Sequence, residues 1–175
     1  MELLKETIPK LTRVAVLWNP QDPPSVQSWK ESQLPARDLR LQLHSMEVSN
    51  SDKFERAFKE ATEARSTALV VSSGSFSNSH RKQIVDLATR NRLPTIYPRT
   101  DFIASGGLMS YGPDQADPYK RSAIFVHKIL KGAKPADLPV EQPKKFEFVI
   151  NLKAAKEIGV TIPQAVLYQA DKLIK

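Results

Sequence analysis

The sequence predicts an α/β fold: a doubly wound, mostly parallel sheet flanked by helices. Three observations carry this. Short β-rich runs alternate with helical periods, four strand–helix units in succession up to residue 107. One of the runs, "ALVVS" at Ala68–Ser72, is apolar throughout, as a parallel strand covered on both faces requires. Serial strand–helix units also call for right-handed crossovers and hence a parallel sheet.

Taken in order, Arg13–Trp18 reads as the first strand and Ser25–Leu39 as a helix that Pro35 should kink. Gln42–Val48 is the second strand. Asp52 and Glu55 form a capping-box pattern ahead of Phe54, Ala57, Phe58 and Ala61, which share one helical face. After Ala68–Ser72 a Ser/Asn-rich loop leads to a helix over His80–Asn91, with Ile84, Leu87 and Ala88 inward. Leu93–Tyr97 is the fourth strand, and Thr100 caps a short helix ending at Gly106-Gly107. Leu108–Tyr111 is a short strand, and Asp117-Pro118 opens a strong helix through Leu130, closed by Gly132. "KPADLPVEQPKK" is proline-rich and extended. Phe146–Ile150 is a last strand, followed by two short helices around Gly159 and Pro163.

Length and composition bound the function. At 175 residues the chain buries a proper core, as one domain or a little more. Its 26% charged and 41% hydrophobic residues are ordinary for a water-soluble globular protein. No apolar run approaches the roughly 20 residues that cross a bilayer. "MELLKETIPK" has no basic segment followed by an apolar one, so no signal peptide is expected in this chain. The absence of cysteine removes disulfides, thiolate metal sites and cysteine nucleophiles. The net charge of +7 is scattered over predicted helices, often with acids one turn away, as in "DKFERAFKEATEAR", and is not gathered into a stripe. That pattern points away from nucleic acid, though attraction to an anionic membrane surface stays open.

Ligands of such sheets bind beyond the carboxyl ends of the strands. The rule selects Asn19, Ser73-Gly74-Ser75 and Tyr97-Pro98-Arg99. The first of these loops, "NPQDPPS", has no glycine with which to cradle a phosphate. Asn19, Ser73 and Ser75 offer donors and acceptors, and Tyr97 and Tyr111 add ring faces with polar tips. Arg99 is placed to clamp a carboxylate. This is equipment for binding a small polar molecule rather than for reaction. Ser73 and Ser75 lack the Gly-x-Ser-x-Gly frame of a nucleophile elbow. His44, His80 and His127 show neither triad nor ligand spacing, so no catalytic residue, metal site or cofactor is expected. A phosphoreceiver would need an acidic residue where the third strand ends in Ser72-Ser73, and no Gly-x-Gly-x-x-Gly marks a dinucleotide site.

Two stretches carry a resemblance. "GGLMSYGPDQADPYKRSAIFVHKILKGAKPADLPVEQPKKFEFVINLKAAKEIGVTIP" is very similar to the closing segment of ABC-transporter substrate-binding proteins of the periplasmic-binding-protein type I-like class. "PKLTRVAVLWNP" resembles the start of their second lobe. The resemblance covers essentially the whole chain and about the C-terminal half of a family member. It implies a receptor that holds an amino acid or sugar-like solute between two lobes and delivers it to a membrane permease. It also implies a periplasmic or membrane-anchored extracytoplasmic location, and ligand contacts at Asn19, Ser25, Ser73, Ser75 and Tyr111. The chain departs from some relatives in reading Ser73-Gly74-Ser75 where they carry an acidic–amide pair.

On this pattern residues 1–107 form the ligand-binding lobe. Residues 108–145 are a crossover strand and helix that would pack on an N-terminal lobe, and 146–175 return to complete the lobe. Tyr119, Ala123, Val126 and Leu130 share one face of the crossover helix. Uncovered, its large apolar groups forfeit roughly 1.5–3 kcal/mol each. The helix over 118–131 is therefore expected to fold back on its own lobe, pair with another copy, or move freely. Two other readings remain: a stand-alone ligand-sensing regulatory domain, and a serine hydrolase using Ser73 or Ser75.

Overall fold

The computed structural model describes all residues except Gln115 and Lys144, and omits the side chain of Asp117. The proline-rich stretch is thus described apart from Lys144. The chain runs α1 (Glu2–Thr7), β1 (Arg13–Trp18), α2 (Pro23–Asp38), β2 (Gln42–Glu47), α3 (Phe54–Glu63), β3 (Ala68–Val71), α4 (Ser75–Ser79) and α5 (Arg81–Arg90). It continues β4 (Thr95–Tyr97), α6 (Asp101–Ala104), β5 (Met109–Pro113), α7 (Ala116–Leu130), β6 (Phe146–Asn151), α8 (Leu152–Ile158), α9 (Gln164–Gln169) and β7 (Lys172–Ile174).

Among the described residues one sheet in the order β2-β1-β3-β4-β5-β6-β7 contains every strand, and only the β5–β6 pairing is antiparallel. This is the doubly wound α/β architecture the alternation predicts. On one face Phe54, Phe58, Ile84, Leu87 and Phe102 pack over Ala15, Leu17, Leu69 and Tyr97. On the other, Leu4, Ala36, Ala155 and Val166 pack over Val14, Ala68, Met109 and Ile150. β1 and β3 are thus apolar on both sides because helices cover both.

Several local expectations are corrected. The capping box is absent. Asn50 instead accepts the Asp52 N–H at 3.2 Å and starts a 3₁₀ turn that feeds α3. Thr100 precedes α6 without a side-chain cap, because its backbone is already helical. The Ser/Asn-rich loop contains α4, and the last segment adds β7 beside β6. α2 runs through Pro35 on its exposed side, where the missing N–H leaves one carbonyl facing water.

α7 does not fold back on its lobe. The expected face lies in solvent, with Tyr119 78% and Leu130 82% exposed, and Ile124 and Val126 are also open. The reason lies at its base. The chain leaves β5 at Pro113 and re-enters on the adjacent antiparallel strand at Phe146, so the excursion projects from the sheet as an arm. The Asp114 N–H donates to the Lys145 carbonyl at 3.0 Å, and the Lys145 ammonium lies 3.2 Å from the Asp114 carboxylate. The Ala116 N–H first, then Lys145, hold the Asp114 carboxyl below its ordinary range.

Three helix ends share a rarer feature. After α2, α3 and α5 the chain turns through a left-handed residue, and each time that residue is arginine: Arg40 (φ 55°), Arg65 (φ 56°) and Arg92 (φ 51°). Each turn closes with the same bond pair, such as Arg40 N–H to the Arg37 carbonyl at 3.0 Å and Leu41 N–H to the Ala36 carbonyl at 2.7 Å. Glycine normally fills this position, because a Cβ crowds the following carbonyl. Arg65→Gly is therefore expected to hold or raise stability, by up to about 1 kcal/mol, while a β-branched Arg65→Val lowers it by about as much or more. Urea unfolding of the two variants measures the difference.

Candidate functional site

Register sets the site. Leu17 pairs with Val71, Val70 with Ile96, and Tyr97 with Ser110. The next positions along these parallel strands therefore stand level, and one step further lie Asn19, Ser73, Arg99 and Gly112. The loops selected from the sequence share one edge of the sheet.

Hydrogen bonds lock two of these loops together. Ser25 Oγ, buried at the start of α2, accepts the Asn19 N–H at 2.8 Å and lies 2.6 Å from Ser72 Oγ. Asn19 Oδ1 accepts the Gln21 N–H at 2.8 Å, which turns the chain toward α2. The Asn19 side-chain NH₂ has no partner among the described residues. Ser73 and Ser75 are exposed on the neighbouring loop.

Asp22 is the contributor the sequence did not reveal. It precedes Pro23-Pro24 at the start of α2 and makes no cap bond there. Its carboxylate crosses to the β3 loop, 3.4 Å from both the Ser75 hydroxyl and the Phe76 N–H. A Cβ on Gly74 would lie 2.3 Å from Asp22 Oδ2, so glycine at 74 gives the carboxylate its space. The glycine missing from the first loop has its counterpart in the second, where it accommodates a side chain and not a phosphate.

The aromatic and cationic candidates fare unevenly. Tyr97 faces the interior and stacks on Phe102 at 4.8 Å, so its ring is not offered at the edge. Burial pushes its phenol well above the ordinary value. Arg99 spends Nε and Nη2 on Asp101 Oδ2 at 3.1 and 2.6 Å, which occupies the fork expected to clamp a carboxylate. Tyr111 does stand at the edge, half exposed, stacked at 5.7 Å on Phe146, a second open ring that reads from sequence only as a strand start.

Among the described residues neither candidate serine meets a histidine. Ser75 touches Asp22, and no hydrogen bond joins Ser73 to a base among the described residues. His80 is held through Nδ1 to the Phe76 carbonyl at 2.9 Å and packs against the Phe54 and Phe76 rings. Among the described residues no group of His, Asp or Glu could hold a metal ion.

An α/β lobe whose sheet edge carries hydroxyls, an amide, the Asp22 carboxylate, the Arg99–Asp101 pair and two open rings has the groups of a binding surface. The sequence profile described as "ABC transporter substrate binding protein" matches residues 1–174, and the chain belongs to that family. Among solved structures, a conserved domain protein from Vibrio cholerae is 27% identical with a TM-score of 0.89, over 98% of this chain and 58% of that one. An ABC domain in complex with L-Trp from Streptococcus pneumoniae is 28% identical with a TM-score of 0.87, over 99% of this chain and 60% of that one. A ligand-free, open substrate-binding protein with adhesive properties from Clostridium difficile shares the fold, at 20% identity and a TM-score of 0.75, over 99% of this chain and 58% of that one. The chain thus spans under two thirds of the length of these structures. No curated protein matches it.

Two outcomes test this geometry. Ser25→Ala strands the buried Asn19 N–H and should cost about 1–3 kcal/mol in urea unfolding, with the emission of Trp18 next to it reporting the loosened loop. Tyr97 contributes stability that is complete below the ordinary phenol pKa of about 10 and is lost as pH rises toward its elevated value. Tyr97→Phe should therefore flatten the alkaline loss of stability seen in thermal melts.

Proposed function

We propose that this chain is the C-terminal lobe of a solute receptor of an ABC transporter, working outside the cytoplasm and handing its ligand to a membrane permease. The ligand is a zwitterionic amino acid. Its ammonium group meets Asp22, its polar atoms meet Asn19, Ser73 and Ser75, and its side chain lies against the Tyr111–Phe146 rings. The observation that carries this reading is the Asp22 carboxylate, set across Gly74 beside the neutral hydrogen-bonding groups of Asn19, Ser73 and Ser75. The L-Trp complex of the pneumococcal structure supports an amino acid as the ligand class.

The other wall of the site belongs to a second lobe, onto which α7 lays Tyr119, Val126 and Leu130. Coverage of only 58–60% of the matched structures fits this division. Burying those three side chains gains roughly 1.5–3 kcal/mol each, enough to hold an arm in place. Among the described residues no helix is long and apolar enough to cross a membrane.

The test is an NMR titration of this chain with L-amino acids, which reads weak binding to a single wall. Amide signals of Asn19, Ser73–Ser75 and Tyr111–Gly112 are expected to shift together. Asp22→Asn should weaken binding about tenfold or more, as expected for losing a hydrogen bond to a charged group. Shifts scattered over the surface, or an unchanged affinity in the Asp22→Asn variant, would overturn the proposal.

A further inference from the structure

The opposite edge of the sheet carries a different chemistry. The turns holding Arg40, Arg65 and Arg92 enter β2, β3 and β4, so all three lie at the amino-terminal edge, away from the rim. The register places them at nearly one height. Gln42 pairs with Arg13, Ala68 with Val14, and Thr95 with Leu69, so each arginine stands two or three residues ahead of a paired position. With strands roughly 5 Å apart, the row spans about 15 Å across four neighbouring strands, β1 included. Lys10 and Arg13 lead into β1 in the middle of it. The acids close to these turns are Asp38 and Glu63, and Glu63 already pairs with Lys59.

The three guanidinium groups are exposed and make no ion pair or side-chain hydrogen bond among the described residues. Helix ends alone do not account for them. α2 and α5 already carry Arg37 and Arg90 in their last turns, where a cation meets the helix dipole without a left-handed backbone. The chain also builds the same turn with glycine elsewhere, at Gly106, Gly132 and Gly159. Arginine is thus kept where glycine is the easier residue, three times in one row.

We propose that this row docks the protein on the phosphates of an anionic lipid surface. Guanidinium forks match phosphate oxygens. The turns, "DLRLQ", "ARST" and "NRLP", expose no aromatic ring on which a nucleic-acid base could stack, and their leucines Leu41 and Leu93 are buried. A protein partner would need an apolar anchor at the centre of its interface, and these turns present none. Isolated flexible cations in a line suit a fluid plane of charged headgroups. Docked this way, the lobe turns its rim toward the solution.

Vesicle co-sedimentation at low salt tests the proposal, using phosphatidylcholine alone and phosphatidylcholine mixed with phosphatidylglycerol. The protein should partition onto the mixed vesicles only. Each basic side chain at such a surface is worth roughly fivefold, so Arg40→Gly/Arg65→Gly/Arg92→Gly should lose on the order of a hundredfold. Its thermal midpoint should not fall, because glycine suits all three backbones. A charge-matched variant, Lys30→Gln/Lys131→Gln/Lys134→Gln, should keep most of the binding. Equal losses in both variants would mean that net charge alone acts, and would overturn the proposal. So would binding to neutral vesicles, or no binding to the anionic ones.

Discussion

Parallel register is the constraint on which the molecule depends. Because β1, β3, β4 and β5 run the same way and pair in step, their carboxyl ends finish at one height, and the loops beyond them share one edge without any dedicated scaffold. A shift of one residue in β3 would move Ser73 off the row and turn Leu69 and Val71 away from their core. Packing on both faces, with phenylalanines on one side and mostly aliphatic groups on the other, excludes that slip. The polar rim is therefore held by the hydrophobic interior, and the Ser25–Ser72 bond joins loops that the core has already brought together.

The two ends of the sheet have opposite electrostatic character for a structural reason. Turns that follow strands face helix amino-termini, and there the chain places hydroxyls, an amide, the Asp22 carboxylate and the Arg99–Asp101 ion pair. Turns that follow helices face carboxyl-termini, where cations are favoured. The strand–helix repeat thus brings three arginines to one end of the strand axis. Scattered in sequence, Arg40, Arg65 and Arg92 fall in line only when the repeat is folded.

Most of the fold was legible because its signals are local. Strand runs such as "VAVLW" and "ALVV", and the inward stripe of α3, state their burial directly. Short elements were less so: six residues of α1 and three of β7 are too few for a period to show, and Pro163 with Gly159 suggested helices alone at the end. At the strand-end edge, the rule of strand ends and the family resemblance single out Asn19, Ser25, Ser73, Ser75 and Tyr111. The inward turn of Tyr97 and the Arg99–Asp101 pair are not legible there, because a strand's last residue points either way and the next acid along is close enough to take the guanidinium. The Asp22 contact is not legible locally because its partner lies more than fifty residues away.

The clasp between Asp114 and Lys145 has an architectural consequence. An excursion whose two ends leave adjacent strands side by side is an appendix to the sheet, so its length and its outer surface can change freely between relatives while β5 and β6 stay paired. The segment between the clasped residues is then a module that can be exchanged without disturbing the sheet beneath it.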